Sequence, residues 1–277
     1  MLISGLRLPI FGAPVVILAV ALLFRVPTPA QPARGQLHHH HNPAIIRERH
    51  ATSATSTNWS GYAVTGANGS ATDVKGSWVV PSVNCAMTPN ADSDYWVGID
   101  GYSSNTVEQI GTDSDCQNGS PTYYAWYEFY PKYPVTVKFP LTSPIQPGDV
   151  ISAEVSYSPK TGEFTVSITD VTTNESFSHT EKEPNAKRAS AEWIVEDSGG
   201  TLPNFGTVAF GQDNTGVSRT CDATVVSASG AIGSAAFASS LFEITLDESN
   251  GANITPSSLS DGTSFTETWA LPAPPGP

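Results

Sequence analysis

Histidine, cysteine and basic residues are scarce over most of this chain. Past residue 50 there is one histidine, His179, and the whole sequence has three cysteines. The scarcity of histidine excludes a zinc site built from several histidines beyond residue 50. A serine–histidine or cysteine–histidine catalytic site would have to use His179. The chain also lacks a Gly-x-Ser-x-Gly elbow and a phosphate- or dinucleotide-binding glycine loop. We therefore expect no metal and no cofactor, which leaves the chemistry of carboxylates.

The shortage of basic residues has its own consequence. Of 26 acidic and 13 basic residues, the first 50 positions hold one Glu and five Arg, so the remainder carries 25 acids against 8 bases, a formal charge of −17. Nucleic-acid binding needs clustered Lys and Arg, so we expect no nucleic-acid partner. Repulsion among the carboxylates fades as they gain protons, which suits an acidic medium.

The first 50 residues form two segments of a different kind. An apolar run over residues 9–24 follows Arg7 and leads to a small-residue exit. It is typical of a secretory signal and is shorter than the ~20 residues of a spanning helix. We interpret residues 1–30 as a signal peptide, with no stable membrane anchor, and expect a secreted, extracellular protein.

Residues 31–50 are rich in Arg and His, including the run His38 to His41. Such a run is typical of a metal-scavenging tract or a remnant of cloning. The neighbouring Arg residues favour a third interpretation, a basic propeptide-like segment that covers an acidic groove. It would act as the protein's own inhibitor and dissociate from the groove as the groove carboxylates gain protons.

Residues 51–270 follow a strand pattern. Short β-branched or aromatic runs alternate with turn residues, and no stretch keeps a 3.6-residue apolar period. The main runs cover residues 77–80, 95–99, 135–139, 150–157, 164–171, 207–210, 223–226 and 242–246. We predict an all-β domain, a sandwich of two antiparallel sheets, and expect a monomer. The Pro-rich residues 271–277 should be disordered.

Two of the apolar segments contain acids. In residues 191–197, strand alternation puts Glu192, Ile194 and Glu196 on one face. In residues 123–130, Glu128 faces the same way as Trp126. An acid among apolar side chains is partly desolvated, so its pKa rises, and such acids are candidates for proton transfer at acidic pH.

Five short sequence segments resemble, in the same order along the chain, those of the glutamic peptidases (eqolisins), which are secreted acid endopeptidases. They are Asn58-Trp59-Ser60-Gly61-Tyr62, residues 95–101, Glu108-Gln109-Ile110-Gly111, residues 126–131 and residues 191–197. The resemblance implies a concanavalin-like sandwich with a concave groove for polypeptide substrates. It also implies a catalytic pair, Gln109 and Glu192.

In the implied mechanism Glu192 takes a proton from a water held between it and Gln109, and the water attacks the peptide carbonyl. The Gln109 amide donates to the developing oxyanion. We expect the groove to be lined by Trp59, Trp96, Asp100, Trp126 and Glu128. On the residues alone, Gln109 would be a solvated loop residue and Asp100 a turn former.

The cysteine count permits one disulfide and one free thiol. Cys85 and Cys116 both lie in polar, loop-like sequence, so we pair them and leave Cys221 free. Many fungal relatives have more cysteines, and fungal members often carry Asp at the position of Tyr124. The lower cysteine count fits a bacterial-type member, and the groove carboxylate lost at Tyr124 bears on the pH optimum and the subsite preference.

Two other functions stay open from the sequence. The first is a β-sandwich glycosidase that uses Glu192 and Glu128 as its carboxylate pair. The second is a non-catalytic module that binds sugar or protein through its aromatic residues.

Overall fold

A computed structural model of the chain describes residues 40–50, 52–139, 144–226, 228–248 and 251–271. The predicted signal peptide, residues 31–39 and the tail from residue 272 lie outside the described residues. In the described part of the chain, no helix is long and apolar enough to cross a membrane.

The regular secondary structure of the described residues is almost entirely strand. In chain order the elements are β1 (Ile46–Arg49), β2 (Ser53–Ser56), β3 (Trp59–Thr65), β4 (Ala71–Val79), β5 (Asp94–Ile99), β6 (Val107–Gln117), β7 (Ser120–Tyr130), β8 (Val135–Thr136), β9 (Val150–Ser158), β10 (Glu163–Asp170), β11 (Glu175–Glu181), β12 (Ser190–Glu196), β13 (Thr207–Phe210), α1 (Gln212–Thr215), β14 (Asp222–Val225), β15 (Ala228–Ala231), a 3-10 turn (Ala235–Phe237), β16 (Leu241–Asp247), β17 (Asn253–Ile254) and β18 (Phe265–Thr268).

These strands form two sheets. The first has the order β1-β2-β16-β3-β12-β5-β6-β7-β8, with β17 beside β16. The second has the order β11-β10-β9-β4-β13-β18, with β14 pairing to β4 and β15 to β14. The predicted sandwich is therefore present. One detail of the prediction is wrong, because β16 pairs with β2 in parallel, so the first sheet is not purely antiparallel.

The main core lies between the sheets and follows from strand alternation. Trp78 of β4 and Trp193 of β12 are fully buried there. The indole of Trp78 donates to Thr112 Oγ1 across 2.9 Å, and that of Trp193 donates to the Lys75 carbonyl across 2.7 Å. Each bond joins one sheet to the other, so a large apolar side chain is buried without an unpaired N–H.

A second apolar cluster covers the opposite face of the first sheet. It contains Trp59, Trp96, Trp126 and Ile194, and the residues that pack on it from outside include Ala44 and Ile46. We call this surface the acid face, because it also carries the side chains of Gln109, Glu128, Glu192 and Glu196. Its apolar residues are buried by the chain's own N-terminal residues, and it is where the predicted groove residues meet.

Several predicted strands have the expected limits, and β6 was missed. Residues 207–210 are β13, whereas residues 135–139 shorten to the two-residue β8. The sequence of β6 is polar and was interpreted as turn-rich, yet its first ten residues are all buried. A central strand with both faces covered hides polar side chains as well as apolar ones, and its burial depends on distant neighbours.

Candidate active site

One row of residues across the acid face brings the predicted catalytic pair together. Glu192 of β12 pairs with Gly98 of β5, Gly98 pairs with Gln109 of β6, and Gln109 pairs with Glu128 of β7. Side chains directly opposite each other in antiparallel strands point to the same face. Gly98 has no side chain, and the Trp96 ring takes the space where one would lie, since a Cβ at Gly98 would be 2.8 Å from Trp96 Cζ3.

The two members of the pair have different surroundings. Gln109 is fully buried, and its Nε2 donates to the His41 carbonyl across 2.8 Å and to Glu128 Oε2 across 3.3 Å. Glu192 is equally buried, but neither of its carboxyl oxygens meets a donor among the described residues. Burial raises the pKa of Glu192 well above its usual range, and the charges of Asp100 and Glu108 act in the same direction. Burial therefore favours the neutral form of Glu192.

The N-terminal residues 40–45, which we call the strap, cross the acid face from β7 toward β2. At the start His40 Nδ1 lies 2.8 Å from Glu128 Oε1. In the middle the indole of Trp59 donates to the Asn42 carbonyl across 2.9 Å. Farther on, the Ala44 amide donates to the Gly101 carbonyl and the Ile45 amide to Asn58 Oδ1. The strap therefore occupies the surface on which a substrate would lie.

The deepest side chain of the strap is His41, which is 2% exposed. Its ring stacks on Trp126 with centroids 3.4 Å apart and planes at 6°. Its Nδ1 lies 3.0 Å from Glu128 Oε2, and its Nε2 lies 3.7 Å from Asp94 Oδ2 and 3.8 Å from Asp113 Oδ1. Burial by itself lowers the pKa of His41, but contacts with Asp113 and Glu128 outweigh it and raise the pKa to about 10. His41 is therefore an imidazolium.

Trp96 and Glu196 form the neighbouring part of the site. The Trp96 indole donates to Glu196 Oε2 across 3.0 Å, and the Asn42 amide donates to Glu196 Oε1 across 2.9 Å. Trp96 also meets Trp59 edge to face, with ring centroids 4.8 Å apart. Burial raises the pKa of Glu196 to about 8, while the nearby charge of His41 acts against that rise.

Asp100 differs from its expected role as a groove-lining residue. Its carboxylate accepts hydrogen bonds from the backbone amides of Lys187, Arg188 and Ala189, at 2.6, 2.6 and 2.8 Å. These bonds tie the end of β5 to the loop that leads into β12, so the side chain is used for structure. Its charge still contributes to the raised pKa of Glu192.

One group in the described part of the chain has the composition of a metal site. His41, Asp94 and Asp113 offer ligand atoms that all lie within 4.8 Å of one another. A metal needs neutral imidazole, whereas the raised pKa keeps His41 protonated. Asp94 and Asp113 therefore suit a positively charged side chain, such as the His41 imidazolium, better than a metal ion.

The cysteines are also defined. Cys85 and Cys116 form a disulfide with Cα atoms 5.4 Å apart, and Cys221 is free and buried. Cys116 lies near the end of β6, not in a loop as its sequence indicated. The disulfide thus joins the long segment before β5 to a strand that carries Gln109.

Three acids that contact the strap or its histidine, Asp94, Asp113 and Glu196, were absent from the predicted site. Glu196 could have been found, because it lies four residues after Glu192 on the same face of β12. Asp94 and Asp113 are register partners of each other, two and four residues from Trp96 and Gln109. The sequence gives no sign of that pairing until β6 is known to be a strand.

The match to a known family covers most of the chain. Residues 57–269 match the profile described as the peptidase A4 family. The chain belongs to the peptidase A4 family. This membership confirms the predicted resemblance.

Individual relatives agree with the family assignment. The chain is 32% identical to Aspergillopepsin-2 from Aspergillus niger over 182 residues, which span 56% of this chain and 62% of that relative. Among solved structures it is similar to scytalido-glutamic peptidase bound to a transition state analog inhibitor, with a TM-score of 0.61 and 23% identity over 77% of this chain and 98% of that one. It is also similar to aspergilloglutamic peptidase from Aspergillus niger, with a TM-score of 0.50 and 27% identity over 65% and 99% of the two chains. These likenesses confirm the β-sandwich fold.

Proposed function

We propose that this peptidase A4 family member is a secreted acid endopeptidase that hydrolyses polypeptides with a water molecule activated by Glu192 and Gln109. The observation that carries the proposal is the bond from Gln109 Nε2 to the carbonyl of a peptide group laid across the acid face. A donor that already holds a peptide carbonyl is suited to hold the oxyanion that forms when water attacks it.

In this mechanism the carboxylate of Glu192 takes a proton from the water, and the water oxygen adds to the carbonyl carbon. Glu192 then returns the proton to the departing amine. Gln109 stabilises the negative charge on the former carbonyl oxygen. The residues of the acid face can perform every step, so no covalent intermediate is needed.

We further propose that the strap keeps the enzyme inactive until acid releases it. It occupies the acid face, and His41 is held there by the charges of Glu128 and Asp113. A loss of negative charge around the ring in acid would weaken this attraction. With the strap in place burial favours the neutral form of Glu192, whereas the reaction needs its carboxylate. Release of the strap lets water reach Glu192 and lowers the cost of its charge.

The glycosidase alternative is disfavoured by the register. Between Glu192 and Glu128 stand Gly98 and Gln109, so three strand spacings of about 4.8 Å separate their backbones by roughly 14 Å. Glycosidase carboxyls lie about 5–9.5 Å apart. In addition, Glu128 is engaged with Gln109 and the strap, so we do not pursue it as an acid–base partner.

Casein digestion at pH 3–4, with pepstatin and a chelator present, tests the peptidase proposal. We expect wild type to cleave casein, Gln109→Ala to lose about 10²–10³ in rate and Glu192→Gln to lose about 10²–10⁴. Matched controls are Gln146→Ala in an exposed turn and Glu163→Gln on β10, which should keep full activity. Full activity of a correctly folded Gln109→Ala enzyme would reject the pair.

The inhibitory strap is tested separately at pH 6. A synthetic peptide of residues 31–50 is added to enzyme recovered after acid activation, with a scrambled peptide as control. We expect inhibition by the natural sequence alone. Equal activity with both peptides would discard the strap as an inhibitor and leave the peptidase proposal intact. Sequencing the N-terminus of protein collected from the medium tests the predicted secretion.

A further inference from the structure

The peptide bond between His41 and Asn42 is held at both ends by the acid face. Its carbonyl oxygen accepts from Gln109 Nε2 at 2.8 Å, and its N–H donates to Glu196 Oε1 at 2.9 Å. Carbonyl and N–H of one trans peptide point to opposite sides, so the two contacts fix the position and orientation of this bond. No other peptide group of the described strap has its carbonyl on Gln109.

The side chain on the carbonyl side of that bond enters a pocket with distinct chemistry. One wall is the face of Trp126, and the polar end is formed by Glu128, Asp94 and Asp113 around the two ring nitrogens. Both oxygens of Asp94 are buried and meet no hydrogen-bond donor among the described residues. A buried acid with unused acceptors, next to an aromatic face, favours a flat cationic group.

From these contacts we propose that the enzyme cleaves after histidine, and that His41–Asn42 is the bond of its own chain that it cuts first. The pocket of Trp126, Glu128, Asp94 and Asp113 is the specificity subsite for the residue whose carbonyl Gln109 holds. This inference rests on the proposed peptidase function and adds to it the substrate class and the site of self-cleavage.

The reaction is an ordinary hydrolysis. The oxygen of one water molecule bonds to the His41 carbonyl carbon, and the bond from that carbon to the Asn42 nitrogen breaks. His41 leaves with a new carboxyl group and Asn42 with a new amine, which takes up the proton. The new amine starts next to Glu196, whose carboxyl already contacts this nitrogen.

The pocket distinguishes His41 from its neighbour His40. The His40 ring also contacts Glu128, but it lies between Tyr130 and Tyr133 and its side chain is 32% exposed. An apolar side chain in the His41 position would remove the ring nitrogens that face Asp94, Asp113 and Glu128. In the His40 position it would still rest on the two tyrosines, which makes His40 a matched control.

Peptides added to acid-activated enzyme test the subsite. The probe is a peptide of residues 36–46, compared at pH 4 with versions that carry His41→Leu, His41→Lys or His40→Leu. We expect cleavage between His41 and Asn42, at least a tenfold lower kcat/KM for His41→Leu, and less than a threefold change for His40→Leu. In Asp94→Asn and Asp113→Asn enzymes the ratio of kcat/KM for the natural peptide to that for the His41→Leu peptide should fall most of the way to one.

The outcomes separate the two proposals. Equal cleavage of the His41→Leu peptide by an enzyme that digests casein overturns the subsite and leaves the peptidase proposal standing. No cleavage of any peptide or of casein overturns the peptidase proposal itself. In the full chain, intact mass and N-terminal sequencing after a shift to pH 4 should find Asn42 as a new first residue. A processed protein in which the 41–42 bond stays uncut would overturn self-cleavage at this site.

Discussion

The charge on His41 makes the hold of the strap depend on pH in a way that can be calculated. Its pKa is about 10 with the strap in place and about 6.5 in an open chain. A group whose pKa is raised stabilises the closed state fully below pH 6.5, and the contribution is lost as the pH rises toward 10. Each pH unit in that window is worth about 1.4 kcal/mol, so from pH 6.5 to 8.5 the strap should lose about 2.7 kcal/mol, or roughly a hundredfold in its closing constant.

Hydrogen exchange of the full-length protein measures this loss. The amides of His41, Asn42 and Ala44 are bonded to the acid face when the strap is closed. After correction for the intrinsic rate of exchange, their protection should fall roughly a hundredfold more between pH 6.5 and 8.5 in wild type than in His41→Gln. A His179→Gln protein, altered in the second sheet, should behave like wild type.

Because Glu196 also has a raised pKa, the comparison with His41→Gln is needed to isolate the histidine. Glu196 titrates in the same window, with a pKa of about 8. The charge of His41 opposes that raised pKa, so the contribution of Glu196 is larger in His41→Gln, and the difference between the two proteins is a lower bound on the effect of His41. If protection in wild type and His41→Gln falls by the same factor, His41 is not a charged anchor and the strap is held by its backbone bonds alone.

Two further predictions concern the scaffold of the site. A Cβ added at Gly98 would lie 2.8 Å from Trp96 Cζ3 and 3.2 Å from Gln109 Cβ. Gly98→Ala should therefore displace Gln109 from Glu192 and lower kcat/KM on casein by about 100-fold, with the circular dichroism spectrum unchanged. Activity equal to wild type would mean that the position of the catalytic pair does not depend on Gly98. The disulfide closes a loop with a sequence separation of 31. The double variant Cys85→Ser/Cys116→Ser should therefore have a free energy of unfolding in urea that is lower by about 3–4 kcal/mol. A loss below about 1 kcal/mol would show that the loop is already ordered without the disulfide.

The parts of the fold that depend on local sequence could be predicted. Alternation in β12 put Glu192 and Glu196 on one face, and aromatic alternation in β7 did the same for Trp126 and Glu128. Both assignments need only the period of a strand and the residues within it.

The parts that depend on pairing between distant segments could not. Nothing in the sequence of β6 indicates that it lies between β5 and β7, and so the polar Asp113 was not linked to Asp94. Likewise, β16 reaches its parallel place beside β2 from nearly two hundred residues away in the sequence. The resemblance to a family supplied Gln109, which its own polar surroundings would have left as a loop residue. The register between strands that are distant in sequence is set by the packing of whole sheets, and short sequence segments do not encode it.

The ionisable groups at the contact between the strap and the acid face respond to pH in different ways. At neutral pH His41 bonds to charged acceptors, while burial holds Glu192 and Glu196 as neutral acids. Raised pKa values of buried acids favour the closed form as the pH falls, so these two residues cannot drive opening in acid. His41 cannot drive it either, since it is already charged below pH 6.5. Opening in acid therefore has to come from outside these three side chains, and Glu128 and Asp113, which hold the ring of His41, form part of the proposed subsite.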